Sequence, residues 1–171
     1  PEKDARRLLT TFMTRAFRRP VKPEEVDSYY ELAQPGIEAN IPFQDAIKPA
    51  YLAVLSSSEF LFLDEQPGKL NDFALANRLS YFLWRSMPDE ALFEIAKSGK
   101  LHEPAVLDTQ VDRMLQDERA ERFIESFAND WLQVDKVQAM PGTQNAWLAG
   151  SMKHETYRFL REMLRGDHDV V

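Results

Sequence analysis

Apolar residues recur along this chain at helical spacing, and nowhere is there a period-2 pattern that pairs one strand with another. Over residues 4–18, Ala5, Leu8, Leu9, Phe12, Met13, Ala16 and Phe17 share one half of a helical wheel, and Lys3, Arg7, Thr11, Thr14, Arg15 and Arg18 share the other. Pro20 ends this helix, because proline lacks a backbone donor and disfavours a helical residue before it. Pro23 followed by Glu24 and Glu25 starts a second helix, which runs to about Ala33 and stops before Pro35-Gly36. A third spans about Phe43 to Ser57, with Ile47, Tyr51, Val54 and Leu55 inward and Pro49 as a point of bending or restart. Phe60-Leu61-Phe62-Leu63 reads as a short extended segment laid on the core, and Asp64 to Lys69, with Pro67-Gly68, reads as a linker.

The stretch from Asn71 to Ser86 is apolar around nearly its whole circumference, with only Arg78 and Arg85 forming a polar stripe. Such a helix is expected to be buried at a centre. Beyond it, Pro88-Asp89-Glu90 opens a short helix that ends at Gly99, and Pro104 opens another with Val106, Leu107, Val111, Met114 and Leu115 inward. Asp117 is a natural cap for the next, where Phe123, Ile124, Phe127, Ala128, Trp131 and Leu132 occupy one half of the wheel. Residues 135–150 read as a loop with Pro141-Gly142. A last helix runs from about Ala149 to Arg165, with Gly166 placed to end it. The expected class is all-α, an irregular bundle of about eight helices in two packed modules, residues 1–65 and 70–171. Phe60 to Leu63 brings four apolar residues up to the linker, which predicts a shared interface rather than free flexing. Trp84, Phe82 and Trp131 are expected to be interior filling that joins helices.

The net charge of −7 argues against nucleic acid as a partner. No apolar run approaches the roughly 18 residues that span a bilayer, so no membrane insertion is expected. The chain has no Cys, which removes disulfides, thiolate chemistry and covalent c-type haem attachment from this segment. The chain reads as a segment of a longer protein, since it opens directly on a helical pattern and stops as a new apolar run begins.

Ala16-Phe17-Arg18-Arg19-Pro20-Val21, Pro23-Glu24-Glu25-Val26 and Leu55-Ser56-Ser57-Ser58-Glu59-Phe60-Leu61-Phe62 resemble the start and end of one family of unknown function. Ala76-Asn77-Arg78-Leu79-Ser80-Tyr81-Phe82-Leu83-Trp84, Ser86-Met87-Pro88-Asp89, Gly99-Lys100-Leu101 and Phe127-Ala128-Asn129-Asp130-Trp131-Leu132 resemble a second uncharacterised family that follows the first. Both belong to large exported bacterial proteins of the planctomycete cytochrome-c-associated type. The resemblance implies an extracytoplasmic location, remaining domains of a parent protein as partners, and a second module truncated at its C-terminus. It also implies haem elsewhere in the full-length protein, with no cofactor in this segment. It supplies no catalytic residue.

The chemistry-bearing candidates are few. His154-Glu155 begins like the zinc pattern HExxH, but Arg158 stands where the second His is needed, so His154 reads as an exposed residue on the polar face of its helix. His102 precedes Glu103-Pro104 at a helix start, and His168 lies in Asp167-His168-Asp169; neither makes a metal site with His154. Asp130 lies at the edge of the face formed by Phe123, Phe127 and Trp131. It is a weak catalytic candidate as a general acid, and otherwise a partner for Arg78 or Arg85 that pins two helices together. The basic residues Lys3, Arg7, Arg15 and Arg18 read as a solvated face, and Arg18-Arg19 as donors to the carbonyls that end their own helix. Trp84 and Trp131 read as core, which leaves Trp147 as the tryptophan able to stand at a surface and stack on carbohydrate. The preferred reading is a non-catalytic structural or interaction domain of unknown molecular function. The alternatives are part of a redox-linked or polysaccharide-degrading enzyme with a cleft near Asp130, or a carbohydrate-binding module using Trp147.

Overall fold

The structure, a computed structural model, describes residues 1–63, 67–139 and 146–166, without the side chains of residues 138 and 139. The described residues form ten α-helices and no strand, and eight of those helices are seven residues or longer, which is the all-α helical bundle the periodicity predicts. The chain divides into two compact units, Pro1–Asn77 and Arg78–Val171.

In the first unit, α1 (Glu2–Phe17) packs against α2 (Pro23–Tyr30) and α4 (Phe43–Leu55). Its inward stripe of Ala5, Leu9, Met13, Ala16 and Phe17 meets Val26 and Tyr30 of α2 and Ile47, Ala50 and Val54 of α4 in one core. The ring of Phe12 lies 4.5 Å from that of Tyr51, which joins α1 to α4. Pro23 stands in the first turn of α2, and the Glu25 carboxylate accepts from the Lys22 backbone N–H at 2.8 Å and from both Arg19 guanidinium nitrogens. An unpredicted short helix, α3 (Gln34–Glu38), continues past Pro35-Gly36 because Pro35 sits in its first turn, where no N–H is required. α4 continues through Pro49 as one helix rather than restarting.

Two expectations fail at the end of this unit. The apolar run after the serines is not an extended segment. Ser57 caps a short helix, α5 (Ser58–Leu61), by accepting from the Phe60 N–H, and Leu61, Phe62 and Leu63 are exposed. Arg18 is not part of a solvated basic face. It takes a left-handed conformation at the end of α1 (φ 55°) and is buried. Its guanidinium donates to the carbonyls of Glu59 (2.8 Å), Phe62 (3.0 Å) and Phe60 (3.3 Å). Those carbonyls have no partner within so short a helix, so the fork of Arg18 satisfies the end of α5.

The next helix, α6 (Asp72–Trp84), is not apolar filling on all sides. Asn71 caps it by accepting from the Ala74 N–H at 2.8 Å. Ala76, Asn77, Ser80, Leu83 and Trp84 are buried, whereas Phe82 stands 64% exposed. In the second unit, α7 (Glu90–Lys97) is capped by Asp89 and followed by Gly99 at φ 73°, and α8 (Pro104–Gln116) buries Met114. A 3-10 turn capped by Asp117 leads into α9 (Glu121–Leu132), and a second 3-10 stretch, Val134–Ala139, stands where a loop is expected. α10 (Ala146–Gly166) packs on α8 and α9. The Pro141-Gly142 turn lies outside the described residues.

Two glycines give opposite expected outcomes. A Cβ on Gly36 would stand 3.0 Å from the backbone Cα of Ala46, where α3 meets α4, whereas one on Gly150 inside α10 meets nothing within 4 Å. Gly36→Ala should lower stability by roughly 1–3 kcal/mol through overpacking. Gly150→Ala should raise it by about 0.5–1 kcal/mol through helix propensity. Urea denaturation followed by circular dichroism checks both.

Candidate functional site

Trp84 organises the second unit. Its side chain is fully buried, and its indole N–H donates to the Met114 carbonyl at 2.9 Å. The guanidinium of Arg119 lies 3.5 Å from the indole centroid and that of Arg113 5.5 Å. Both arginines reach Asp89: Arg113 donates two bonds at 2.7 and 3.1 Å, and Arg119 one at 3.5 Å. Arg119 also forks onto Asp117 at 2.8 and 2.7 Å. The cap residues of α7 and of the turn before α9 are thus tied to one indole by charge-assisted bonds. Arg122 closes the set by donating to the Trp84 carbonyl at 3.1 Å.

These contacts set the local charge states. The hydrogen bond from Arg119 holds the Asp117 carboxyl down to about 2. Burial pushes the Asp89 carboxyl up, but hydrogen bonds from Arg113 and the Leu92 N–H outweigh it and leave Asp89 below its ordinary value. The Arg161 hydrogen bond likewise lowers Glu121. Arg161 forks onto Glu121 from α10 at 2.6 and 2.5 Å, and Arg165 donates to the carbonyls of Leu115 and Asp117. α10 therefore clamps the back of α9, where Ile124 and Ala128 pack with Leu160 and Val134.

The front of α9 is left open. Phe123, Phe127 and Trp131 recur every four residues and face one side. Ring centroids step from Phe82 to Phe123 at 4.9 Å, then to Phe127 at 5.6 Å, then to Trp131 at 5.1 Å. With Tyr81, Arg85, Ser126 and Asp130 they line an open groove of about 560 Å³. Trp131 is 65% exposed. Phe82 and Trp131 are therefore surface rings and not the interior filling expected of them; Trp84 alone of the three is core. The Trp84 carbonyl ends α6, and Arg85 turns out in a left-handed conformation (φ 52°), exposed at the groove rim.

Asp130 lies on this groove. It is exposed and accepts from Ser126 Oγ at 3.3 Å, one helical turn earlier. The structure gives it no ion pair with Arg85, so it does not pin two helices together in that way. Among the described residues that line the groove it is the only carboxylate. Trp147 stands apart, 76% exposed in the first turn of α10, with its carbonyl accepting from Ser151. His154 is exposed on α10 and Arg158 is exposed one turn on, whereas His102 is half-buried. His168 lies outside the described residues. Among the described residues no three His, Cys, Asp or Glu side chains cluster as a metal site requires, and no helix is long and apolar enough to cross a membrane.

Periodicity missed Phe82, Arg85, Phe127 and Trp131 as groove residues. A usable signal was present in α9, whose apolar face is two stripes wide. Ile124 and Ala128 form one, and Phe123, Phe127 and Trp131 form another about 100° away. Packing on a single neighbour consumes one stripe.

Residues 70–171 match the family described as PSD4, protein of unknown function (DUF1592), and residues 4–65 match PSD5, protein of unknown function (DUF1595). No curated protein and no solved structure matches the chain.

Because Asp117, Asp89 and Glu121 are all lowered in the folded state, each contributes stability that is present above its unfolded value and is lost as pH falls through its folded one. Unfolding free energy should be flat above about pH 5 and fall between about pH 4 and pH 2. Asp117→Asn should lower stability at pH 7 and give a shallower fall over that window, as measured by urea titrations at several pH values; an unchanged slope contradicts the assignment. Trp84→Ala should cost about 3–5 kcal/mol in the same assay.

Proposed function

We propose that this chain, which belongs to the DUF1592 family through its residues 70–171, is a non-catalytic interaction module whose working face is the aromatic groove of α6 and α9. The observation that carries this reading is the line of four rings from Phe82 to Trp131 with its two ends exposed to water. Large apolar rings left bare beside a polar rim are the composition of a binding surface. The single carboxylate supports binding over hydrolysis, since glycoside hydrolysis uses two flanking carboxyl groups. The strings around Ala76–Trp84 and Phe127–Leu132 support a place in a larger, exported, planctomycete-type protein associated with cytochrome c. In that protein the remaining domains are the module's covalent neighbours, and a covalently attached c-type haem belongs to another segment, since that attachment uses Cys and this segment has none.

The full-length parent protein carrying both Phe82→Ala and Trp131→Ala should melt within about 2 °C of the wild type, because both rings are largely solvated and surface changes cost little. It should lose retention on the envelope fraction of its own cells in a sedimentation assay. A variant that is retained as well as wild type, or that melts several degrees lower, contradicts the reading.

A further inference from the structure

The groove of α6 and α9 holds one cation and one anion beside its rings. Arg85 and Asp130 line it together with Phe82, Phe123, Phe127 and Trp131. Both charged residues are exposed, and neither makes an ion pair with any described residue. Asp130 accepts from Ser126 Oγ at 3.3 Å, which leaves its carboxylate with acceptor capacity, and Arg85 offers a planar fork of donors. The uncovered ring surface is also large. Phe82, Phe127 and Trp131 are 64%, 38% and 65% exposed. At about 150–250 Å² per aromatic side chain, these three leave roughly 250–400 Å² of ring bare on each molecule.

We infer that the occupant of this groove is the same groove of a second copy of the chain, an inference that rests on the interaction reading above and names its partner. An occupant that fills the groove takes water from both lining charges. A wholly apolar occupant leaves both without a partner, at the cost of desolvating them. An occupant of one sign answers one charge and faces the other unfavourably. The occupant must therefore carry rings, a cation and an anion together, and a second copy does so by construction. In a two-fold arrangement each surface patch meets itself, so a contact from one residue to another is made twice. A two-fold axis through the groove brings Arg85 to the second copy's Asp130 and Asp130 to the second copy's Arg85, and it lays ring against ring. The area sets the strength. Two copies cover about 500–800 Å² of ring, and with homodimer interfaces about 65% apolar the whole contact is roughly 800–1,200 Å². That lies at the small end of specific interfaces, so the dimer is reversible, with a Kd of roughly 10–100 µM. The net charge of −7 on each copy opposes approach, but at physiological salt a Debye length of about 8 Å screens it.

The test is analytical ultracentrifugation of the full chain at physiological salt, over about 1–300 µM, a range that brackets the expected Kd. The wild type should pass reversibly from monomer to dimer and no further. Trp131→Ala and Phe82→Ala, on two different helices, should each weaken the dimer at least tenfold while keeping the parent melting temperature, and either one serves if the other fails to fold. Arg85→Glu alone and Asp130→Arg alone each replace two attractive pairs with two repulsive ones, and each should weaken the dimer at least tenfold. The double variant Arg85→Glu/Asp130→Arg should recover it, and an equimolar mixture of the two single variants should form the mixed dimer. A chain that stays monomeric over the whole range overturns the inference. So does a dimer indifferent to both ring variants, a double variant no better than the singles, or association that runs on past the dimer. A monomeric chain whose envelope retention still depends on Phe82 and Trp131 loses the self-pairing and keeps the interaction reading, with another molecule as occupant. A monomeric chain whose retention is indifferent to those rings loses both.

Discussion

The second unit depends on the burial of one indole. Trp84 has the largest side chain among the fully buried residues, and polar groups take part in enclosing it. Its N–H finds the Met114 carbonyl, and its ring lies against the Arg119 guanidinium. A cation packed on an indole needs its own charge met, and Asp89 and Asp117 meet it. Both aspartates also cap a helical segment, at α7 and at the turn leading to α9. The single ring thereby fixes where two segments begin and where α6 ends. Removing either aspartate would leave a guanidinium short of partners over an apolar ring, so the arrangement stands or falls as a set.

Arginine closes helix ends elsewhere as well. Arg18 serves the carbonyls at the end of α5, Arg122 serves the last residue of α6, and Arg165 serves Leu115 and Asp117 at the end of α8. Short helices have a high proportion of carbonyls without an internal partner. A chain rich in short helices needs donors that reach across the fold. The guanidinium supplies several on one long stem.

Fixing Trp84 inward has a consequence two residues earlier. On a helix, residues 82 and 84 are about 200° apart, so burying one turns the other outward. Phe82 is thus delivered to the surface, where it extends the row of Phe123, Phe127 and Trp131. α9 contributes the rest because α10 occupies its other stripe through Ile124, Ala128 and Leu160. The groove is therefore what remains after the ionic set around Trp84 and the clamp of α10 have both taken their sides.

Much of this was legible in the residues alone. Period 3.6 placed the helices; Pro23, Asp89 and Pro104 marked starts, Gly99 marked an end, and Asp117 marked a cap, because those signals act within a few residues of where they stand. The side-chain partners of Arg18 were not legible, since Glu59, Phe60 and Phe62 lie more than forty positions away. Nor was the difference between Trp84 and Trp131, which sit in equally apolar helical patterns. Periodicity says that a face is apolar, and only the number of neighbouring helices available to cover it decides how much stays wet. Here α9 has two apolar stripes and α10 covers one, so the fold and not the sequence pattern turned half of an apparent core into a surface.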